Sequence, residues 1–135
     1  MGDFGDPGAR EAYREGVDSL VRGEPARAVE RLEAALRDDS PVEVRLALGK
    51  AYLEQSDGAK AGAFLDEILS GERALGTSLR AYVKLLSARA RALAGRPAEA
   101  DAAAAEAARL DPRLGQAAAA LRKKLARGEA PAARS

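Results

Sequence analysis

The sequence predicts an all-α protein built from stacked pairs of helices, and three observations predict it. A short frame recurs as Gly23-Glu24-Pro25-Ala26-Arg27-Ala28, Ser56-Asp57-Gly58-Ala59-Lys60-Ala61 and Gly95-Arg96-Pro97-Ala98-Glu99-Ala100, so that its second alanine returns after 33 and then 39 residues. Each frame has a small residue twelve positions earlier, at Gly16, Gly49 and Ala88. Apolar residues follow at helical spacing: Leu32, Ala35 and Leu36 in the first, Leu65, Ile68 and Leu69 in the second, Ala104, Ala107 and Ala108 in the third. A period in the thirties with an apolar stripe of helical pitch is the pattern of helix pairs that bury one face by stacking on their neighbours.

The elements follow in order, with helices expected over 9–22, 25–37, 42–55, 58–70, 78–94, 97–110 and 112–127. Pro25 and Pro97 suit the first helical position, where the missing N–H has no partner to lose. Asp57 suits the N-cap of the fourth helix. Ser40-Pro41-Val42-Glu43 has the spacing of a capping box opening the third. The longer second interval implies a connector over 71–77. Asp111-Pro112 opens the last helix, which carries Leu114, Ala117, Ala118, Leu121 and Leu125 on one face and Arg122, Lys123, Lys124 and Arg127 on the other. One apolar face with a charged back is what a terminal capping helix needs. Segments 1–8 and 128–135 are Gly-, Pro- or Ala-rich and are expected to be flexible.

Leu48-Gly49-Lys50-Ala51-Tyr52, followed by Ala61, Leu65 and Ile68, resembles the tetratricopeptide repeat. Gly16, Gly23, Ala28, Leu32 and Ala35 match the same pattern in the first repeat. Gly95, Ala100, Ala107 and Pro112 match it in the third. The early aromatic of the family's first helix is replaced by Ala12, Arg45 and Lys84, and its Tyr is kept only as Tyr52. The resemblance implies a right-handed helix-pair solenoid of three tetratricopeptide-like repeats, about 9–41, 42–75 and 78–111, within a domain of 9–127 closed by the capping helix 112–127. It further implies a concave groove that binds a peptide or helix of a partner. Carried over residue by residue, the groove positions are Tyr13, Val17, Leu20, Leu46, Lys50, Leu53, Leu85 and Arg89. The family's clamp for a C-terminal aspartate is not implied: there is no Asn in the chain, Val17, Lys50 and Leu85 stand at clamp positions, and Arg89 alone fits.

Composition narrows the chemistry. Of 135 residues 47% are apolar and 32% charged, and there is no Cys, His, Trp or Asn. That excludes a disulfide framework, thiolate or imidazole metal ligands, and Ser–His or Cys–His nucleophiles. Adjacent carboxylates such as Asp38-Asp39 and Asp66-Glu67 diverge by about 100° on a helix and do not converge on one atom. No phosphate-binding glycine loop or dinucleotide fingerprint is present. The expectation is a protein that is not an enzyme and uses no metal and no cofactor.

Net charge is +1, yet residues 1–70 carry 9 basic and 15 acidic side chains whereas 71–135 carry 13 and 6. Such asymmetry steers partners or favours self-association. No apolar run serves as a signal peptide or membrane span, so a cytoplasmic protein is expected. From the Arg- and Ala-heavy composition, by association, a GC-rich bacterial source is expected. The function expected is protein binding as an adaptor or scaffold, the partner being an apolar segment with acidic groups. Two alternatives stand beside it: a dedicated chaperone for a hydrophobic client segment, and nucleic-acid or membrane attachment through the basic last helix. The second lacks aromatic residues for base stacking.

Overall fold

Residues 6–71 and 74–129 are described by the computed structural model, and among them every regular element is helical. In chain order these are α1 (Pro7–Val21), α2 (Pro25–Ala35), α3 (Val42–Glu54), α4 (Gly58–Ser70), α5 (Thr77–Leu93), α6 (Pro97–Leu110), a single 3-10 turn Pro112–Leu114, and α7 (Gly115–Ala126). The expected flexible start and tail lie outside the described residues at 1–5 and 130–135, as do residues 72 and 73 of the connector. Residues 6–8 are not a loose end. Asp6 caps α1 by accepting from the Gly8 and Ala9 N–H groups at 2.8 and 3.4 Å, and Pro7 is the first helical residue.

Local chemistry explains most boundaries. Pro25 and Pro97 open α2 and α6, and the Asp57 carboxylate accepts from the Lys60 N–H at 3.0 Å. The capping box expected at Ser40 does not form. Ser40 instead turns back, its Oγ accepting from the Arg37 N–H at 2.7 Å, so it closes the end of α2 and leaves α3 to start behind Pro41. Nor is the last helix continuous from 112. Asp111 accepts from the Arg113 N–H and holds a 3-10 turn before α7 begins.

Helices α1, α3, α5 and α7 all stop the same way. Gly23, Ser56, Gly95 and Gly128 have φ of 75°, 60°, 78° and 73°, at intervals of 33, 39 and 33 residues. The next N–H in each case (Glu24, Asp57, Arg96, Glu129) donates at 2.9 Å to the carbonyl five residues back. This is the left-handed terminus that satisfies orphan carbonyls of a final turn. The helix-ending turn that opens each of the three frames therefore has a fourth occurrence, after α7.

Each helix packs on its neighbours in the chain, and the odd-numbered helices also touch in series, α1 with α3, α3 with α5 and α5 with α7. Glycines set the closeness. A Cβ on Gly16 would lie 2.5 Å from Leu32, and one on Gly49 would lie 2.8 Å from Leu65. Ala28, Ala61 and Ala100 are fully buried, but the side chain that fills the notch at Gly49 is Leu65, four residues beyond Ala61. Helical side chains lean back toward the N-terminus, so the larger residue one turn later reaches the gap.

The buried residues form two clusters. The first joins α2 to α5 around Leu32, Val44, Leu48, Leu65 and Val83. The second joins α5, α6 and α7 and consists of Leu85 and Leu121 among Ala88, Ala92, Ala100, Ala104, Ala107 and Ala118. The inward stripe of α7 is Ala118, Leu121 and Leu125, continued by Leu114 at its N-cap, whereas Ala117 faces solvent, because i, i+4, i+7 and i+11 share a face and 117 lies beside it.

Candidate binding groove

Three helices contribute to one concavity of about 340 Å³. Val17, Leu20 and Val21 come from α1, Lys50, Leu53 and Glu54 from α3, and Tyr82, Leu86 and Arg89 from α5. Within each helix the lining residues are three or four apart or adjacent across that spacing, so each helix offers one turn or two of a single face. Leu53 and Leu86 are buried, while Val21 at the end of α1 stands in solvent.

Two cations enter this apolar surface. The Lys50 ammonium lies 5.7 Å from the centre of the Tyr82 ring, within cation–π range. Arg89 is half-buried and makes no ion pair among the described residues. Of the other half-buried arginines, Arg45 binds Glu67 at 2.8 Å, Arg91 binds Asp66 at 3.5 Å and Arg31 lies 3.6 Å from Glu15, whereas Arg80, which does not line the concavity, likewise makes no ion pair among the described residues. Glu54 is the single carboxylate on the lining.

Of the groove residues expected from the sequence, Val17, Leu20, Lys50, Leu53 and Arg89 come together here. Tyr13 and Leu46 do not; they are half-buried against the first core cluster. Burial raises the Tyr13 hydroxyl pKa above its ordinary value, with a further push from the Glu43 charge. Leu85 is 8% exposed and belongs to the second core cluster, facing α6 and α7. Tyr82 and Leu86 take the lining instead, because α5 is turned relative to the register carried over from the family. Val21, Glu54, Tyr82 and Leu86 were not among the expected residues. The signal for Val21 and Glu54 was present, each standing four residues after one that was (Val17 and Lys50).

The remaining candidates disperse. Asp66 and Glu67 pair with different arginines on different helices, Arg91 and Arg45. In the basic stretch of α7, Arg122 binds Asp101 at 2.8 Å and Arg127 binds Glu129 at 3.1 Å, leaving Lys123 and Lys124 without ion pairs among the described residues. The hydrogen bond to Asp101 raises the Arg122 pKa further above its ordinary value. Among the described residues no group of three metal-ligating side chains gathers, and no helix is long and apolar enough to cross a membrane. Comparison with protein-family models, with curated proteins and with solved structures yields no match.

Proposed function

We propose that the chain is a non-catalytic adaptor or scaffold, a tetratricopeptide-like helix-pair solenoid that holds an apolar, acid-bearing segment of a protein partner between α1, α3 and α5. The observation that carries this reading is the pairing of Lys50 and Arg89 with an apolar lining. A half-buried guanidinium without a carboxylate has lost part of its hydration without compensation. A partner carboxylate delivered beside an apolar anchor supplies both contacts at once, and anchors of that kind dominate binding energy. The groove is favoured over the last helix because its two cations stand beside an apolar lining, whereas the basic side chains at the end of α7 stand on its charged face, where Arg122 and Arg127 already have acidic neighbours.

The test is affinity capture from the producing cells with three forms of the chain: wild type, Lys50→Glu with Arg89→Glu, and Lys123→Glu with Lys124→Glu. The proteins that wild type retains should be lost by the groove variant and kept by the α7 variant. The reverse pattern would place binding on the basic helix and defeat the groove reading. Exposed and half-exposed charges contribute under about 1 kcal/mol to stability, so both variants should remain folded.

A further inference from the structure

Val21 is the one large apolar side chain that the described residues leave in solvent, at 81% exposure. With Val17 it lines two surfaces at once. One is the groove; the other is a shallow concavity on the outer flank of α1, whose remaining walls are Glu11, Arg14, Glu15 and Asp18. The outer flank of α1 therefore presents an apolar side chain with carboxylates one to three turns back. That is the chemistry which the groove, with its unpaired Arg89 and its Lys50, is suited to take. Asp18 is paired with Arg22 at 3.1 Å in an exposed pair that is weak and exchangeable, and Glu15 lies 3.6 Å from the half-buried Arg31. Glu11 makes no ion pair among the described residues, and Arg14 is the one like charge on this wall.

We infer that the occupant of the groove is α1 of a second copy of this chain, in a two-fold dimer. Val21 of each protomer enters the other's groove against Leu53, Tyr82 and Leu86, and Asp18 and Glu11 of each face Lys50 and Arg89 of the other. A two-fold contact needs the donor and acceptor halves on one continuous patch, and Val17 and Val21, shared by both concavities, supply that continuity. The inference rests on the reading that this groove takes an apolar, acid-bearing segment. It adds that the chain carries such a segment itself, so dimerisation and partner binding compete for one surface and the free groove is released by dilution.

Sedimentation of the intact chain from about 10 µM to about 1 mM, at low and at high salt, tests it, since small charged interfaces are weak and screened. The expected result is a monomer–dimer equilibrium that stops at the dimer and weakens tenfold or more in high salt. Val21→Glu should abolish it. The groove variant Lys50→Glu with Arg89→Glu and the edge variant Glu11→Lys with Asp18→Lys should each be monomeric. Their equimolar mixture should dimerise again, because both halves of the mixed interface then join opposite charges. Circular dichroism confirms that each variant is folded. A wild-type monomer at every concentration, assembly beyond the dimer, a dimer insensitive to Val21→Glu, or no rescue in the mixture overturns the inference. If wild type stays monomeric while the groove variant still loses its captured partner, the inference alone falls. If the dimer behaves as stated while partner capture ignores the groove, the adaptor reading falls and the dimer stands.

Discussion

A single methyl group has very different consequences at two glycines of this chain. A Cβ on Gly58 would lie 2.4 Å from the Ala90 carbonyl oxygen and 2.8 Å from the Ala94 nitrogen, both backbone atoms that cannot swing aside. A Cβ on Gly49 would meet a side chain rather than backbone, the buried Leu65, with its Cδ2 at 2.8 Å and its Cγ at 2.9 Å. Gly58→Ala should therefore cost about 1–3 kcal/mol, the range for overpacking. Gly49→Ala must displace the buried Leu65 but recovers up to about 1 kcal/mol of helix propensity, so it should lose less than Gly58→Ala. Urea denaturation of the two variants checks the order, and equal losses would show that the α4–α5 approach is no tighter than the α3–α4 one. Tyr52 gives a second residue-level expectation. Its ring stacks on Phe64 at 6.0 Å, and its hydroxyl donates to Glu33 at 2.5 Å. Burial, and then the Glu33 hydrogen bond and charge, push its pKa up to about 12 from 10.0. Because the folded state favours the neutral phenol, that contribution is complete below pH 10 and is lost as pH rises toward about 12. Wild type should lose stability relative to Tyr52→Phe across this window, measured by melting at stepped pH; parallel curves would remove the phenol–carboxylate bond from the account.

Among the elements, α7 shows how the stack is ended. Its C-terminal turn repeats those of α1, α3 and α5. At the place where those helices carry Gly16, Gly49 and Ala88, twelve residues before the alanine of the frame, α7 carries Leu121. That leucine is buried in the second cluster, so the notch into which Leu32 or Leu65 packs in the first two pairs is occupied by the helix's own side chain. Leu121→Ala should cost about 2–5 kcal/mol, as large-to-small core changes do. A loss well under 1 kcal/mol would mean that α7 is only loosely seated. The entry to α7 is held by Asp111, whose carboxylate accepts from the Arg113 backbone and guanidinium, while Arg113 also donates to Ser78 of α5 at 2.7 Å. The Arg113 hydrogen bond keeps the Asp111 carboxyl below its ordinary pKa. This contribution is present above pH 3.8 and is lost as pH falls through the depressed value, so Asp111→Asn should blunt the loss of stability in acid.

For the whole molecule, the two core clusters differ in what they bury. The first is built on Leu, Val, Ile and Tyr, whereas six of the eight buried residues in the second are alanines. Burial contributes in proportion to apolar area, about 25 cal/mol per Å², so the α6–α7 end holds less stabilisation per residue. Native-state hydrogen exchange should show α6 and α7 opening at lower free energy than α3 and α4. Uniform protection across all seven helices would show instead that the chain unfolds as one unit. Removing residues 111–135 should uncover the alanine face of α6 and lower the melting temperature or cause aggregation.

Helix positions were legible in the sequence to within a residue or two, except at the start of α7, because their causes are local: apolar residues at helical pitch, proline at first helical positions, glycine just past the ends. Val17, Leu20, Lys50, Leu53 and Arg89 were legible as a set for the same reason, since spacing within a helix assigns a face. What could not be read was how far each helix is turned about its axis. Leu85 and Leu86 are neighbours of equal hydrophobicity about 100° apart; both are buried, and only packing decides that the first joins the cluster with α6 and α7 while the second joins the other cluster and lines the groove. Ser40 likewise had two backbone ends within reach, and the junction of α2 with α3 selected the earlier one. A helix forms from contacts within four residues of chain; its rotation is a balance struck with side chains that approach from 20 or more residues away.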